Sequence, residues 1–347
     1  MTALRTRSRR IGEVEDLNPS AFKPYPLLMD PYFSPRPWGG TRLQEALGKT
    51  LPAAGGPYGE AWELSDHPDG RSRVANGPAA GRLFGDLLRR HPRPLLGVER
   101  APARFPLLIK FIDAAENLSI QVHPGDDQAR PLGERGKFEF WLIIDCRPGA
   151  EVVQGLQPGV GPDILRQAAQ SGRVQPLLRR VAIRPGDLIA MPPGTVHALL
   201  AGTLVCEIQQ ASNLTYRLWD WNRRPARDLH IEQACAVVSY GAPPPPSPGS
   251  MDALAEGGWT PVFRNPFFEV HAARWSAARR SEQTMSNAHG VALSTIQGAG
   301  TLAIAGGEPQ SLHPGQTWFV PAGLNDWRLA AGAEGLSLLL SRPLEIG

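Results

Sequence analysis

The chain has 347 residues, a formal net charge of +3, 42% hydrophobic and 20% charged residues. That length can bury a core in each of two domains, and the composition is that of an ordinary globular protein rather than a disordered polyelectrolyte. No apolar run approaches the roughly 20 residues of a membrane-spanning helix, and the small net charge gives no footprint for nucleic acid.

Arg5, Arg7, Arg9 and Arg10 open the chain. Residues 1–24 read as a disordered basic arm, and with no apolar stretch behind the arginines they do not make a secretory signal. Cys146, Cys206 and Cys235 are odd in number and lack C-x-x-C spacing, which predicts reduced structural thiols and a cytoplasmic protein. The 37 Gly and 35 Pro are dispersed, which suits many short strands joined by turns.

In chain order, residues 31–77 read as strands, with a short helix over Arg42–Leu51. Residues 104–221 then carry eight short apolar or alternating runs: Phe105–Ala114, Leu118–His123, Glu139–Asp145, Glu151–Gly155, Asp187–Met191, Val196–Leu200, Thr203–Gln209 and Thr215–Trp221. Strands of this length and spacing predict a sandwich or barrel. Helical spacing predicts a helix from Pro162 to Ser171 and another over Leu229–Val238. The proline run in residues 241–251 reads as a linker, and residues 252–347 as a second, smaller β module. The first module is assigned residues 25–240.

The two modules share a weak repeat. RPGDLIAMPPGTVHAL, from Arg184, aligns without gaps on HPGQTWFVPAGLNDWRL, from His313, and sets His197 opposite Asp326. A P-G turn, an apolar strand and a second turn before a ligand position form a cupin-like jelly-roll signature. The fold class expected is mainly β: two cupin-like jelly-roll modules with a few short helices, the second lacking metal ligands.

Gln121 and His123 sit two apart in a strand-like run and so face the same side. Glu139 in GKFEFW and His197 in PPGTVHAL follow at intervals that suit neighbouring strands. Two imidazoles, a carboxylate and an amide oxygen form a donor set for Zn²⁺ or Fe²⁺. His67, His91, His230, His271, His289 and His313 read as structural, Asp126 and Asp127 as turn formers. Trp38, Trp62, Trp141, Trp219 and Trp221 read as barrel packing.

Six ordered blocks carry a family resemblance: PYF…PWGG, GEAWELSDHPDGRSRVANG, FPLLIKFIDAAENLSIQVHPGDD, GKFEFW, PPGTVHAL and EIQQASNLTYRLWDW. Over residues 30–240 the chain resembles the type I mannose-6-phosphate isomerases, cupin-fold metal-dependent aldose–ketose isomerases. The resemblance implies one Zn²⁺ per chain on Gln121, His123, Glu139 and His197. It implies catalytic roles for Arg217, Lys137 and Glu207, with Ser119 and Lys110 lining the substrate pocket. It further implies a sugar-phosphate substrate and no nucleic-acid or membrane partner. The family's HPDD reads HPGDD here, and KFEFW stands where many relatives have Thr or Pro after the lysine. For Arg217 an ion pair with Asp220 is the structural alternative, and for Glu207 a pair with Arg217. A non-haem iron oxygenase and a non-catalytic sugar-binding cupin are the rival functions.

Overall fold

The structure, a computed structural model, describes residues 22–242, 247–276, 283–285 and 287–345. The expected basic arm therefore lies almost wholly outside the described residues.

Two antiparallel sheets face each other in the first module. One runs in the order Gly249–Ser250, Asp187–Met191, Glu139–Cys146, Thr203–Gln210, Leu107–Ala114, Tyr58–Leu64, Tyr32–Gly40. The other runs Leu178–Ala182, Glu151–Leu156, His197–Leu199, Ile120–Val122, Tyr216–Trp219. Each of the eight strand-like runs forms a strand, with ends shifted by one to a few residues. Leu178–Ala182 was not expected, because its arginine-rich LRRVA sequence alternates only weakly. Helices Phe84–Arg90 and Pro92–Leu96 were missed too, and the helix expected at Arg42–Leu51 is a single turn, Arg42–Glu45. Helices Pro162–Gln170 and Ile231–Val237 match expectation and cover the outer face of the smaller sheet.

The second module is built on Val291–Ala303 and Trp327–Pro343, flanked by Phe268–Trp275 and Thr317–Val320. Its strand Thr317–Val320 ends where Asp187–Met191 ends in the aligned repeat. Trp275, Trp318, Trp327 and several leucines fill its interior, where the first module carries polar side chains.

Two boundaries differ from the sequence reading. Leu27–Asp30, assigned to the first module, bridges the two: Leu27 and Leu28 pair with Phe319 and Trp318 of the second, Met29 and Asp30 with Val74 and Arg73 of the first. Its alternation explains this: Leu27 and Met29 are buried in the core shared by the modules, whereas Leu28 packs on the second module's interior. The end of the expected linker, Gly249–Ser250, is a short edge strand on Asp187–Leu188. Among the described residues no helix is long and apolar enough to cross a membrane.

Period-two alternation sorts the first module's side chains. Ile109, Phe111, Phe140, Cys206 and Ile208 point out of the larger sheet into the inter-module core. Ile120, Val122, Val196, Ala198 and Leu218 point out of the smaller sheet toward the helices. Trp38, Ile112, Trp141, Ile143, Val152 and Val205 fill the space between the sheets. The modules meet on a triangle of rings: Phe84 to Phe105 at 5.3 Å, Phe84 to Phe319 at 5.1 Å and Phe105 to Phe319 at 6.0 Å between centroids. Phe319→Ala empties that contact and is expected to cost about 3–5 kcal/mol. Urea unfolding should show a lower midpoint, and an unchanged one would mean that the modules do not depend on this junction.

Candidate metal centre and active site

Alternation brings four side chains to one end of the barrel interior. His197 pairs with Gln121, and Gln121 pairs on its other side with Arg217. On the facing sheet Glu139 lies opposite Gln209, and Glu207 lies between Lys110 and Trp141. His123 Nε2 is 3.0 Å from Glu139 Oε1, His197 Nε2 is 3.4 Å from Glu139 Oε2, and Gln121 Nε2 is 3.3 Å from His197 Nε2. His123, Glu139 and His197 are buried, and their candidate ligand atoms lie within 4.8 Å of one another.

The backbone fixes what these imidazoles offer. His123 Nδ1 lies 2.9 Å from the Leu214 carbonyl and His197 Nδ1 2.8 Å from the Thr195 carbonyl. A carbonyl accepts only, so each Nδ1 carries the proton and each Nε2 presents a lone pair. Two lone pairs and a carboxylate then converge, met by N–H donors of Gln121 and Lys137, and Glu139 Oε2 is buried with no hydrogen-bond partner. Such a group fits a divalent cation, and the Nδ1 contacts are the outer partners that orient ligating imidazoles. Gly194 helps form the turn before His197: its φ is +83°, and a Cβ there would stand 2.2 Å from Ser239 Oγ.

The protonation pattern agrees. Burial, followed by the Lys137 cation, pushes His123 down to about 3, and burial likewise lowers His197. Burial opposes ionisation of Glu139, but Lys137 and the two imidazoles outweigh it and hold the carboxyl well below the usual range. Lys137 Nζ is 2.6 Å from Glu139 Oε1 and 3.2 Å from His123 Nε2. Its burial works against the charge, but Glu139 and Glu207 prevail and raise its pKa.

Beside this centre lies a cavity of about 170 Å³. The cavity is lined by all the catalytic and pocket residues expected from sequence: Lys110, Ser119, Lys137, Glu207 and Arg217. Ser119 Oγ donates to Gln121 Oε1 at 3.2 Å and so orients that amide. Glu207 is paired with Lys110 at 3.1 Å and accepts from Trp141 Nε1 at 3.0 Å; it is not paired with Arg217. Burial, followed by the charge of Glu139, raises its pKa. The alternative pairing of Arg217 with Asp220 is not formed either. Asp220 is taken by Arg223 and Arg227, whereas Arg217 donates to the Asp228 carbonyl at 3.0 Å. The Arg217 Nε is buried without a partner, and burial, followed by the neighbouring Arg227, lowers its pKa.

Sequence reasoning missed Arg36, Glu60, Asn213 and Arg227, all of which line the cavity. Glu60 was visible in principle, since it alternates with Trp62 in GEAWEL. Arg36 Nε donates to Glu60 at 2.9 Å, and Trp62 Nε1 donates to it at 2.6 Å. Trp38 and Trp141 combine packing with cavity lining. His230, read as structural, accepts from the Arg217 amide at 3.2 Å.

Burial opposes ionisation of Glu60, yet Lys110 and Arg36 hold it down to about 2. A folded-state value below the unfolded one contributes stability above pH 4.5 that is lost as pH falls toward 2. Glu60→Gln should therefore be less stable than the parent at neutral pH, by an amount that shrinks on acidification below about 4.5. Denaturant titrations of both proteins across that range test this; a pH-independent difference would mean that the charge of Glu60 is not what stabilises the fold.

Comparisons with known proteins agree with this geometry. The family described as phosphomannose isomerase type I, catalytic domain, matches residues 27–140. The probable mannose-6-phosphate isomerase GmuF of Bacillus subtilis is 43% identical over 221 residues, covering 62% of this chain and 69% of that protein. Mannose-6-phosphate isomerase ManA of Bacillus subtilis is 34% identical over 315 residues, covering 89% of this chain and 97% of that protein. The crystal structure of the mannose 6-phosphate isomerase from Bacillus subtilis superposes with a TM-score of 0.77 at 32% identity, covering 91% of this chain and 99% of that one. With a two-module β fold, a buried His–Glu–His centre and relatives matched over nearly their whole length, the chain belongs to the type I phosphomannose isomerase family.

Proposed function

We propose that this cavity interconverts mannose 6-phosphate and fructose 6-phosphate by proton transfer between C1 and C2 through a cis-enediol, with one Zn²⁺ held by Gln121, His123, Glu139 and His197. The observation that carries the reading is the convergence of two lone-pair imidazole nitrogens on Glu139, beside a cavity that also holds Glu207, Lys137 and Arg217. A bound Zn²⁺ supplies Lewis-acid stabilisation of the negative charge that develops on the C1 and C2 oxygens.

The chain's own groups divide the remaining work. Glu207 is the proposed proton carrier, because it is a buried carboxyl in the cavity whose pKa is raised by burial and by Glu139, which makes it a better proton acceptor than an ordinary carboxylate. Lys110 and Trp141 hold it in place from two sides. Lys137 remains an ammonium and supports charge on the substrate oxygens. Arg217 offers a planar fork of donors to an enediolate or phosphate oxygen. Ser119 keeps the Gln121 amide oriented, and the aromatic walls Trp38 and Trp141 help limit water in the cavity. Free Cys146, Cys206 and Cys235 suit a reducing cytoplasm. Family membership favours this reading over an iron oxygenase or a non-catalytic sugar-binding cupin.

Two experiments test the reading. Metal analysis should find about one zinc per chain; chelation should abolish turnover of mannose 6-phosphate and zinc restore it, and His197→Ala should lose metal and turnover together. Full activity in metal-free protein would overturn the proposal. In heavy water the product should acquire deuterium at the transferred position, whereas complete retention of hydrogen would favour a hydride shift. Arg217→Lys keeps the charge but loses the fork, and should reduce kcat about a hundredfold with metal retained. Near-normal turnover would make Arg217 a structural residue.

A further inference from the structure

Lys137 sits in the loop that precedes strand Glu139–Cys146, and residues on both sides of it are pinned from outside. Its own amide donates to the Pro124 carbonyl at 3.1 Å. On one side, the Gly136 amide donates to Asp126 Oδ1 at 2.6 Å. On the other, the Phe138 amide donates to Gln210 Oε1 at 3.0 Å, and the Gln210 amide donates to the Phe138 carbonyl at 3.1 Å. The Gln210 side chain closes the circuit, its Nε2 donating to Asp126 Oδ1 at 3.2 Å and Oδ2 at 3.4 Å.

The loop also has no room to move toward Asp126. A Cβ on Gly136 would lie 2.5 Å from the Asp126 backbone nitrogen, so the two backbones touch and only glycine fits. Asp127, the adjacent acid, behaves differently. Its side chain is 96% exposed and its ion pair to Arg130 is loose at 3.6 Å. Asp126 therefore does more than form the turn that sequence reasoning assigned to both acids.

We infer that Asp126 is a positioning residue for the isomerisation, acting through Lys137 by fixing the loop that holds the ammonium against Glu139 and His123. The Asp126 carboxylate is the shared acceptor for Gly136 and Gln210. Without it, both flanks of Lys137 lose an anchor, while every group facing the cavity remains present. The inference rests on the isomerase reading above.

The test is a double-mutant cycle on full-length, zinc-loaded protein, with kcat and KM for mannose 6-phosphate measured well below the melting temperature of each variant. Asp126→Ala should lower kcat roughly tenfold or more and leave KM within about twofold. Asp126→Asn should keep most activity, because one oxygen can still accept from both Gly136 and Gln210. Asp127→Ala should match the parent. In a Lys137→Ala background, Asp126→Ala should add less than about a twofold loss, since its effect passes through the missing group. Multiplying losses would overturn the inference, as would Asp126→Asn failing as badly as Asp126→Ala. Gln210→Ala enters the same cycle if Asp126→Ala does not fold. A parent protein without isomerase activity would overturn the function itself; an active parent with multiplying losses overturns only the role of Asp126.

Discussion

Everything at the catalytic end of this protein depends on two hydrogen bonds that face away from it. The carbonyls of Leu214 and Thr195 fix the protons of His123 and His197 on Nδ1, leaving two lone pairs aimed at a carboxylate in a buried space. Without a cation that arrangement repels itself, and burial removes the water that would relieve it. The Lys137 ammonium lies on the same atoms and offsets part of the repulsion. The Gln121 amide nitrogen lies on the His197 lone pair, yet Glu139 Oε2 keeps no hydrogen-bond partner, and that oxygen beside two imidazoles suits a divalent cation.

The fold can support such a centre because strand alternation assigns each side chain to one of several separate cores. On Leu107–Ala114, Ile109 and Phe111 enter the inter-module core, whereas Lys110 and Ile112 face the barrel interior. The same residue-by-residue switch sets Glu207 inward between Cys206 and Ile208. A slip of one residue would bury Lys110 and Glu207 among phenylalanines, at a cost of several kcal/mol for each unpaired charge. The apolar outer face, covered by the second module, thus fixes the register of the polar inner face. That gives the second module a physical role: Phe319 and Leu27 help secure the sheet on whose other side the candidate site lies.

This logic explains what could be read from the sequence. Gln121 and His123 were legible because strand period is local, and the repeat made His197 legible against Asp326. The eight strands followed from short apolar runs between turns. Groups defined by partners distant in sequence were not legible. Asp126 meets Gln210 across 84 residues, a separation that leaves no local pattern, and although Glu60 alternates with Trp62, its pairing with Arg36 across 24 residues is equally hidden. That Leu27–Asp30 joins strands of both modules was hidden for the same reason, since a four-residue apolar strand does not record which sheet edges it will meet. The alternative pairing of Arg217 with Asp220 is not formed because Arg223 and Arg227, only three and seven residues beyond Asp220, reach its carboxylate instead.

That absent pairing has a chemical consequence. Arg36 is tied to Glu60, Lys110 to Glu207, Lys137 to Glu139 and Arg227 to Asp220. Arg217 is held by a backbone carbonyl, with its Nε buried and unpartnered. A cation paired with a carboxylate gives an entering anion less than an unpaired one. Arg217 is half-buried and makes no ion pair among the described residues, and burial, followed by the neighbouring Arg227, lowers its pKa. An anionic substrate, or negative charge that develops on one, would supply that pairing directly. Among the described residues lining the cavity, the cation left without an ion pair is thus Arg217, whose strand neighbour Gln121 belongs to the proposed metal-binding set.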